Sequence, residues 1–436
     1  MDKLVPELYK EYGEYVNQSR AFALDVDGLK PVERRILLSA YEIARDKFVK
    51  SAKVDGHCIG HYHPHGSSYS TIVQLVNRGL LEGQGNFGVD VGIESSPAAA
   101  MRYTECRLGR EMSSMIFKLI EYVPRVESEL DKEPPYLPTM YPVCLIGNNF
   151  DYVVGIGFGY KCLIPTYTLE DLYKRLMFLL GKEEKEPIIK PVTDCTILSS
   201  NAELKDLLTT GKASIRMKGV YKVDGAHSKI YIKSWPYGKK FETILGKLSP
   251  ELNNQDIGFV DLSTDQTNIV FEVIKQRSKA EILERVAKKL DDALEGSVSF
   301  EMIVTDIDKK IKLISVDELL LGTFRMFKNV NNKMLQVQIK DVENSISENQ
   351  LLEKIKPSLQ KYLKTKITNP DEIVIAISKE VQVEEDIIRN LLNKYRISKL
   401  LTVNTDISAL QQKKSDLQSN LKDLDNFVVN QYRPKK

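Results

Sequence analysis

Val32, Ile36, Ala40 and Ile43 recur at three- and four-residue intervals along "PVERRILLSAYEIARDKFVK" and gather on one face. The spacing predicts a helix, with Pro31 suited to its first turn. "TIVQLVNRGLL" repeats the pattern at Ile72, Leu75, Val76 and Leu80. Between such stretches the loops are rich in Gly, His and Pro, so residues 1–150 read as a helical domain. A Pro-rich run, "KEPPYLPTMYP", marks a boundary. Beyond it "ASIRMKGVYKV", "KIYIKSWPY" and "NIVFEVI" predict strands, while "KAEILERVAKKLDDAL" predicts an amphipathic helix. Residues 151–312 therefore read as α/β. In 313–436 the pattern changes again. Ile407, Leu410, Leu417, Leu421, Leu424 and Val428 keep a heptad spacing broken only by Lys414, and Phe327, Val330, Met334 and Val337 offer a partner face. This predicts an antiparallel coiled coil within one chain, around a helical globule at about 345–400. A dimerising rod is compatible with the same heptads. The expected class is multidomain α+β.

Composition narrows the classes without choosing one. The 436 residues hold 62 basic and 60 acidic side chains, so any nucleic-acid role rests on a local patch. One such patch runs from Asp27 to Lys53, where seven basic residues oppose four acidic ones, a net of +3, with Arg20 just upstream. The five cysteines form no C-x-x-C pair, which argues for a reducing compartment and against a zinc ribbon. No apolar run reaches membrane-spanning length and the first residues are too charged for a signal peptide. The chain reads as a soluble cytoplasmic protein without a membrane partner.

Several stretches carry candidate chemistry. "EGQGNFG" contains G-x-G-x-x-G, the dinucleotide fingerprint, but a helix precedes it and an extended stretch follows. A pyrophosphate needs a strand before the loop and a helix after it, so the nucleotide reading fails and the loop needs another explanation. Four of the five histidines crowd into "GHCIGHYHPHG". They read either as metal ligands or as donors to an anionic substrate, and the basic helix upstream favours the second, in a helix-turn-helix lying on DNA. Asp25/Asp27 and Asp306/Asp308 form D-x-D pairs without a third acid, so no metal site is expected here. Asp27 reads instead as helping to start the helix. No P-loop is present, so no ATP site is expected on this chain.

Taken together, "DGLKPVERR", "KSAKVDGHCIGHYHPHG", "EGQGNFG" and "SPAAAMRYTECRL" resemble, in order and spacing, the DNA breakage-reunion subunit of type IIA topoisomerases. That family includes gyrase A, its topoisomerase IV counterpart and a phage medium subunit, which this chain most resembles in length. The resemblance extends over nearly the whole chain and implies a winged-helix domain, a tower domain and a coiled coil carrying a dimer gate. It implies that Tyr103 attacks the phosphodiester and becomes linked to a DNA 5′ end, with Arg102, Arg20 and His63 as its catalytic neighbours. Lys30, Arg34, Arg35, His65, Gln84 and Asn86 match DNA-contacting positions, and Val154 falls about where the family inserts an apolar wedge between base pairs. The chemistry suits these types. A free phenol is only about 0.1% ionised at neutral pH, so cations must stabilise phenolate and phosphoryl charge, and arginine binds phosphate through a fork that stays charged.

By the same resemblance Mg²⁺ and ATP belong to a Toprim/ATPase partner subunit, and the chain acts on double-stranded DNA as a homodimer joined through its N-terminal domain and its gate. Departures bear on the expectations. Only Ser67-Ser68-Tyr69-Ser70 stand between "HG" and "TIV", which puts quinolone binding in doubt, and Val26 replaces a usual arginine. The sequence ends after the coiled coil without a β-pinwheel, so relaxation and decatenation are expected rather than negative supercoiling. A non-catalytic dimeric winged-helix protein is the alternative, and a histidine-metal phosphoesterase a third.

Overall fold

The structure, a computed structural model, describes residues 4–89, 91–147, 152–363, 370–394 and 407–432. It divides into two compact units, Met1–Phe327 and Lys328–Lys436.

The first unit begins with α1 (Leu4–Val16), a π-helical turn (Asn17–Ala21) and a short β1 (Ala23–Leu24). Helix α2 (Pro31–Ile43) follows as its apolar spacing predicts, with Pro31 in the first turn and the Lys30 amide donating to Glu33 Oε2 at 2.9 Å. Asp27 is not the cap. Its fully buried carboxylate accepts from the Leu29 and Leu137 amides and from Arg34, fixing the loop that leads into the helix. The helix also ends earlier than the charged tail of its pattern suggests. Arg45 folds back over the Tyr41 ring at 3.8 Å, and the chain turns into strand β2 (Val49–Lys50).

Two more helices, α3 (Ser51–His61) and α4 (Tyr69–Asn77), precede β3 (Glu82–Gln84) and β4 (Glu105–Arg107). The three strands form an antiparallel sheet in the order β2-β4-β3. Ile36, Leu37, Val54, Ile72 and Leu75 are fully buried and supply apolar packing from all three helices. Helix α5 (Arg110–Phe117) follows β4.

The α/β part opens with the hairpin β5 (Val153–Gly157) and β6 (Tyr160–Ile164), then α6 (Leu169–Leu179), β7 (Thr196–Ile197) and α7 (Asn201–Thr210). The stretch "ASIRMKGVYKV" proves to be two strands, β8 (Lys212–Lys218) and β9 (Tyr221–Asp224), because the chain changes sheets at Gly219. A Cβ there would lie 2.2 Å from the Ser234 carbonyl oxygen. Next come β10 (Lys229–Ile232), α8 (Phe241–Lys247), α9 (Ser249–Asn253), β11 (Ile257–Asp261), β12 (Ile269–Val273), α10 (Lys279–Ala293) and β13 (Glu295–Glu301). One sheet has five strands in the order β5-β6-β13-β8-β7, and a second has four in the order β11-β12-β10-β9. Helices α8 and α10 cover the four-stranded sheet, burying Ile244, Val286 and Leu290 against Ile230, Ile269 and Phe271.

The last strands, β14 (Ile303–Thr305) and β15 (Ile311–Leu313), turn through Asp306, whose carboxylate takes the Lys310 amide at 2.8 Å. Strand β14 pairs in parallel with β1, Ala23 opposite Val304 and Leu24 opposite Thr305. Lys312 adds an ion pair to Asp25 at 2.6 Å. Compactness therefore runs across the boundary expected near residue 150.

Helix α11 (Val316–Leu363) extends into the second unit. Its C-terminal turns pack with α12 (Pro370–Val381) and α13 (Glu385–Lys394) around Ile355, Leu359, Val374, Ile377, Ile388 and Leu391. The chain returns as α14 (Ile407–Lys422) and α15 (Leu424–Val429). Lys328 pairs with Asp425 at 2.5 Å and Glu343 with Lys414 at 2.8 Å, so the return runs antiparallel to α11. Lys414, the residue that breaks the heptad, makes one of these pairs. Among the described residues no helix is long and apolar enough to cross a membrane.

Candidate functional site

The small sheet presents a loop between β3 and β4, and Tyr103 stands two residues before β4. Its side chain is 64% exposed, with the Arg102 guanidinium over the ring at 4.6 Å. The question is what holds the loop that presents this side chain. The answer is a set of residues the sequence pattern did not single out. Tyr69, on α4, donates to the Ala99 carbonyl at 2.6 Å and bonds to Thr104 Oγ1 at 2.9 Å. Thr104 Oγ1 donates to Ser51 Oγ at 2.8 Å, and the Ser51 amide donates to the Thr104 carbonyl at 3.0 Å. The backbone on both sides of Tyr103 is thus tied to the first turns of α3 and α4, while the phenol projects outward. No sequence signal marked Tyr69 or Ser51, because their contacts join residues 30 to 53 positions apart.

The glycine loop closes the same structure from below. Asn86 accepts the Ala99 amide on its carbonyl at 2.9 Å and the Gly88 amide on its side chain at 2.8 Å. Gly88 has φ +78°, and a Cβ there would lie 2.7 Å from the Ser96 carbonyl oxygen. Only glycine fits this approach. No helix begins within the loop, so the glycines serve backbone geometry. Gln84 and Asn86 are both exposed on this edge.

The histidines separate into two groups. His57 and His61 stack at 4.4 Å near the end of α3 and face Glu42 and Asp131 respectively, at 3.7 and 2.8 Å. His63 and His65 meet edge to face at 5.2 Å in the turn that follows. Asp55 holds this turn by accepting from the Ser68 amide and from both Ser67 and Ser68 hydroxyls. Arg20 reaches His65 Nδ1 at 3.2 Å, with Glu129 on the other ring nitrogen at 3.6 Å. Arg20, His63 and His65 thus lie in one cluster. Burial, then the charges of Arg35, His65 and Arg20, push the His63 imidazole below its ordinary value.

A titration follows from that direction. His63 is expected to protonate only below pH ~6.5 in the free protein, so it is neutral at pH 7 and presents one donor and one acceptor. Because the unfolded chain takes up that proton first, His63 withdraws stability as pH falls below about 6.5. Two-dimensional NMR of the imidazole resonances checks this, and a midpoint at or above 6.5 contradicts it.

The basic residues of α2 are placed differently from the expectation. Arg34 makes a two-pronged pair with Asp27 at 2.8 and 3.1 Å, and Arg35 a similar one with Glu133 at 2.8–3.2 Å. Their side chains are only 11% and 10% exposed. Both guanidinium groups are already engaged by carboxylates, which organise the loops around the site. Lys30 Nζ donates to the Val154 carbonyl at 2.6 Å. Val154 itself is half-buried against the core of the five-stranded sheet, whereas Ile156, on the same face of β5, is 77% exposed. The exposed apolar tip belongs to Ile156.

Comparison with known proteins now bears on this geometry. The family model of the DNA gyrase/topoisomerase IV A-type subunit matches residues 20–435. The chain belongs to that family. The A-type subunit of DNA topoisomerase 4 from Bacillus subtilis is 27% identical to it over 99% of this chain and 56% of the relative. The A-type subunit of DNA gyrase from Thermotoga maritima is 31% identical over 73% of this chain and 42% of the relative. The chain spans about half the length of these curated relatives. Within this gyrase/topoisomerase IV A-type chain, the matched range includes Arg20, the histidine turn, the glycine loop and the Arg102-Tyr103 pair.

Proposed function

We propose that this chain is the DNA cleavage-religation subunit of a type IIA topoisomerase, with Tyr103 as nucleophile. The observation that carries the reading is the exposed Tyr103 phenol under the Arg102 guanidinium, on a backbone clamped by Ser51, Tyr69 and Asn86. Helices α2–α4 with the β2-β4-β3 sheet are read as a winged helix presenting this loop to double-stranded DNA. In this reading 1–150 is the breakage-reunion domain, 151–312 the tower and 313–436 the coiled coil, with the globule at 345–400 as a dimer gate. The chain is read as a homodimer joined through its first domain and that gate, acting in the cytoplasm.

The chemistry is a transesterification. The Tyr103 oxygen forms a bond to a backbone phosphorus as the 3′ oxygen leaves, and resealing reverses the exchange without a net change in bond count. Arg102, Arg20 and His63 are the proposed neighbours that bear the extra phosphoryl charge and move the phenol proton. Magnesium would support the leaving oxygen, but this chain's own donors do not fit a resident ion. Glu105 is paired with Lys50 at 2.9 Å, and Glu82 with Arg107 at 2.6 Å. Among the described residues no three His, Cys, Asp or Glu side chains converge. By the family resemblance Mg²⁺ and ATP are proposed to sit on a Toprim/ATPase partner subunit. With that partner, plasmid DNA and Mg²⁺, denaturant trapping is expected to give protein linked to DNA 5′ ends. A chain that forms the adduct without any partner contradicts the division of labour.

The wedge is reassigned to Ile156. Ile156→Ala is expected to change stability by less than about 0.5 kcal/mol, since the side chain lies in solvent. DNA bending, read by fluorescence transfer between duplex ends, is expected to fall. Val154→Ala is expected to reverse the pattern, losing about 1 kcal/mol of stability with bending kept. Bending unaffected by Ile156→Ala removes the wedge from this position.

A further inference from the structure

The segment leading to Tyr103 has a second anchor, far from the helices. Val89 and Ser96 pair through two backbone hydrogen bonds, Val89 N to Ser96 O at 3.0 Å and Ser96 N to Val89 O at 2.8 Å, and so pinch the chain into a hairpin. Its base is the glycine loop and its tip lies against the turn between β11 and β12. There the Ile93 amide donates to Asp261 Oδ2 at 2.8 Å, and the Gly92 amide to Thr267 Oγ1 at 3.4 Å. Gly92 has φ +78°, and a Cβ on it would lie 2.6 Å from Asp261 Oδ2 and 2.7 Å from Ser263 Oγ. The Ile93 side chain packs against the apolar core of the four-stranded sheet.

The receiving turn is itself braced. Asp261 Oδ1 takes the Ser263 amide at 2.9 Å, Ser263 Oγ takes the Asn268 amide at 2.8 Å, and the Leu262 amide donates to the Asn268 carbonyl at 3.0 Å. Burial works to raise the Asp261 carboxylate, but hydrogen bonds from Ile93 and from the amide and side chain of Ser263 outweigh it and hold the group below its ordinary range, so it accepts as an anion. The clamp on Ile93 is therefore a charge-assisted bond from a rigid donor-acceptor frame, across 168 residues of sequence.

We infer that Asp261 is a positioning residue for the nucleophile, setting the register of the Tyr103 segment through the Val89/Ser96 hairpin. This rests on the reading of Tyr103 given above. The physical reason is leverage. The bonds from Tyr69, Ser51 and Asn86 hold residues 99–104, and the tip contact holds the hairpin leading into them, which without it turns on the glycine at position 88. Displacements of about 1 Å at a reacting oxygen cost up to 10²-fold in rate while leaving phosphate contacts untouched. The four-stranded sheet thereby sets the aim of a residue it does not touch.

Variants from both sides of the contact test this in the full chain, with a topoisomerase Toprim/ATPase subunit that supports cleavage by wild type. Asp261→Ala removes the acceptor, and Gly92→Ala pushes the tip away from it. Each is expected to slow covalent-complex formation about 10-fold or more, with duplex affinity within about 2-fold of wild type. Asp261→Asn keeps a carbonyl acceptor for Ile93 and is expected to recover most of the rate. Combining Asp261→Ala with Gly92→Ala is expected to add little to the slower single change, because both break one contact. Hydrogen exchange on the chain alone is expected to rise over residues 97–104 in both alanine variants. Unchanged exchange there overturns the inference wherever the adduct maps, and so does an asparagine variant as slow as the alanine. Wild type giving its adduct at another tyrosine, with exchange raised as expected, sinks the nucleophile assignment and leaves the clamp standing.

Discussion

Tyr103→Phe is expected to abolish covalent attachment to DNA 5′ ends while leaving duplex affinity within about 2-fold of wild type. The substitution removes one oxygen. That oxygen makes no hydrogen bond with the described residues, and the ring keeps the Arg102 guanidinium stacked on it, so folding is expected to change by less than about 0.5 kcal/mol. Affinity persists because it comes from cations displacing counterions along the backbone, none of which the change disturbs. Arg102→Ala separates the remaining roles. It spares the nucleophile and takes away a charge poised beside it, so cleavage is expected to slow by about 10²-fold rather than vanish. Denaturant trapping followed by peptide mapping reads both results. An adduct still formed by Tyr103→Phe, or one mapped to another tyrosine, refutes the assignment.

The second large effect is on folding. Asp27→Ala is expected to cost about 3–5 kcal/mol, because it strands the Arg34 guanidinium in a site only 11% exposed. It also orphans the Leu29 and Leu137 amides, each 3.0 Å from the lost carboxylate. The neighbouring pair of Glu33 with Arg78, at 3.2 Å and nearly as buried, ties the same helix start to the Val143 carbonyl through Arg78. Loosening one pair is therefore expected to loosen the other. Asp27→Ala with Arg34→Met is expected to recover part of the loss, since the buried charge goes with its partner. Denaturant unfolding followed on the first unit measures both. A single alanine costing under about 1 kcal/mol leaves the network without the structural weight its burial implies.

Much of this was legible in the chain. Apolar spacing gave α2, α4 and α10 and alternation gave β10, whereas β12 was legible as a short apolar run because Ile269, Val270, Phe271 and Val273 are all buried. The spacing of Leu410, Leu417 and Leu421 made α14 legible as a helix, though none of its residues is buried. Loops were not legible. The roles of Arg34 and Arg35 went unseen because a basic residue on a helix reads the same whether it meets phosphate or a carboxylate brought from Glu133, far along the chain. Val154 and Ile156 share a strand face, and only the packing of the five-stranded sheet shows which one is covered. Tyr69 looked like an ordinary aromatic at a helix start. Its bonds to Ala99 and Thr104 depend on a loop that returns from the other side of the hairpin.

The parallel pairing of β1 with β14 has a consequence for synthesis. A strand made at residue 23 waits for one at residue 304 before its edge is satisfied. At ordinary ribosomal speeds of about 5–20 residues per second, that interval is roughly 15–60 s, during which the nascent chain exposes an unpaired edge near its N-terminus. Helices α2–α4 can collapse early on local contacts, and Asn17 is held by two hydrogen bonds to Phe158 once β5 and β6 are made, but β1 gains its sheet partner only when the hairpin of β14 and β15 emerges. A nascent chain halted before that hairpin is thus expected to hold a folded helical core with β1 unpaired, and to be a preferred chaperone client.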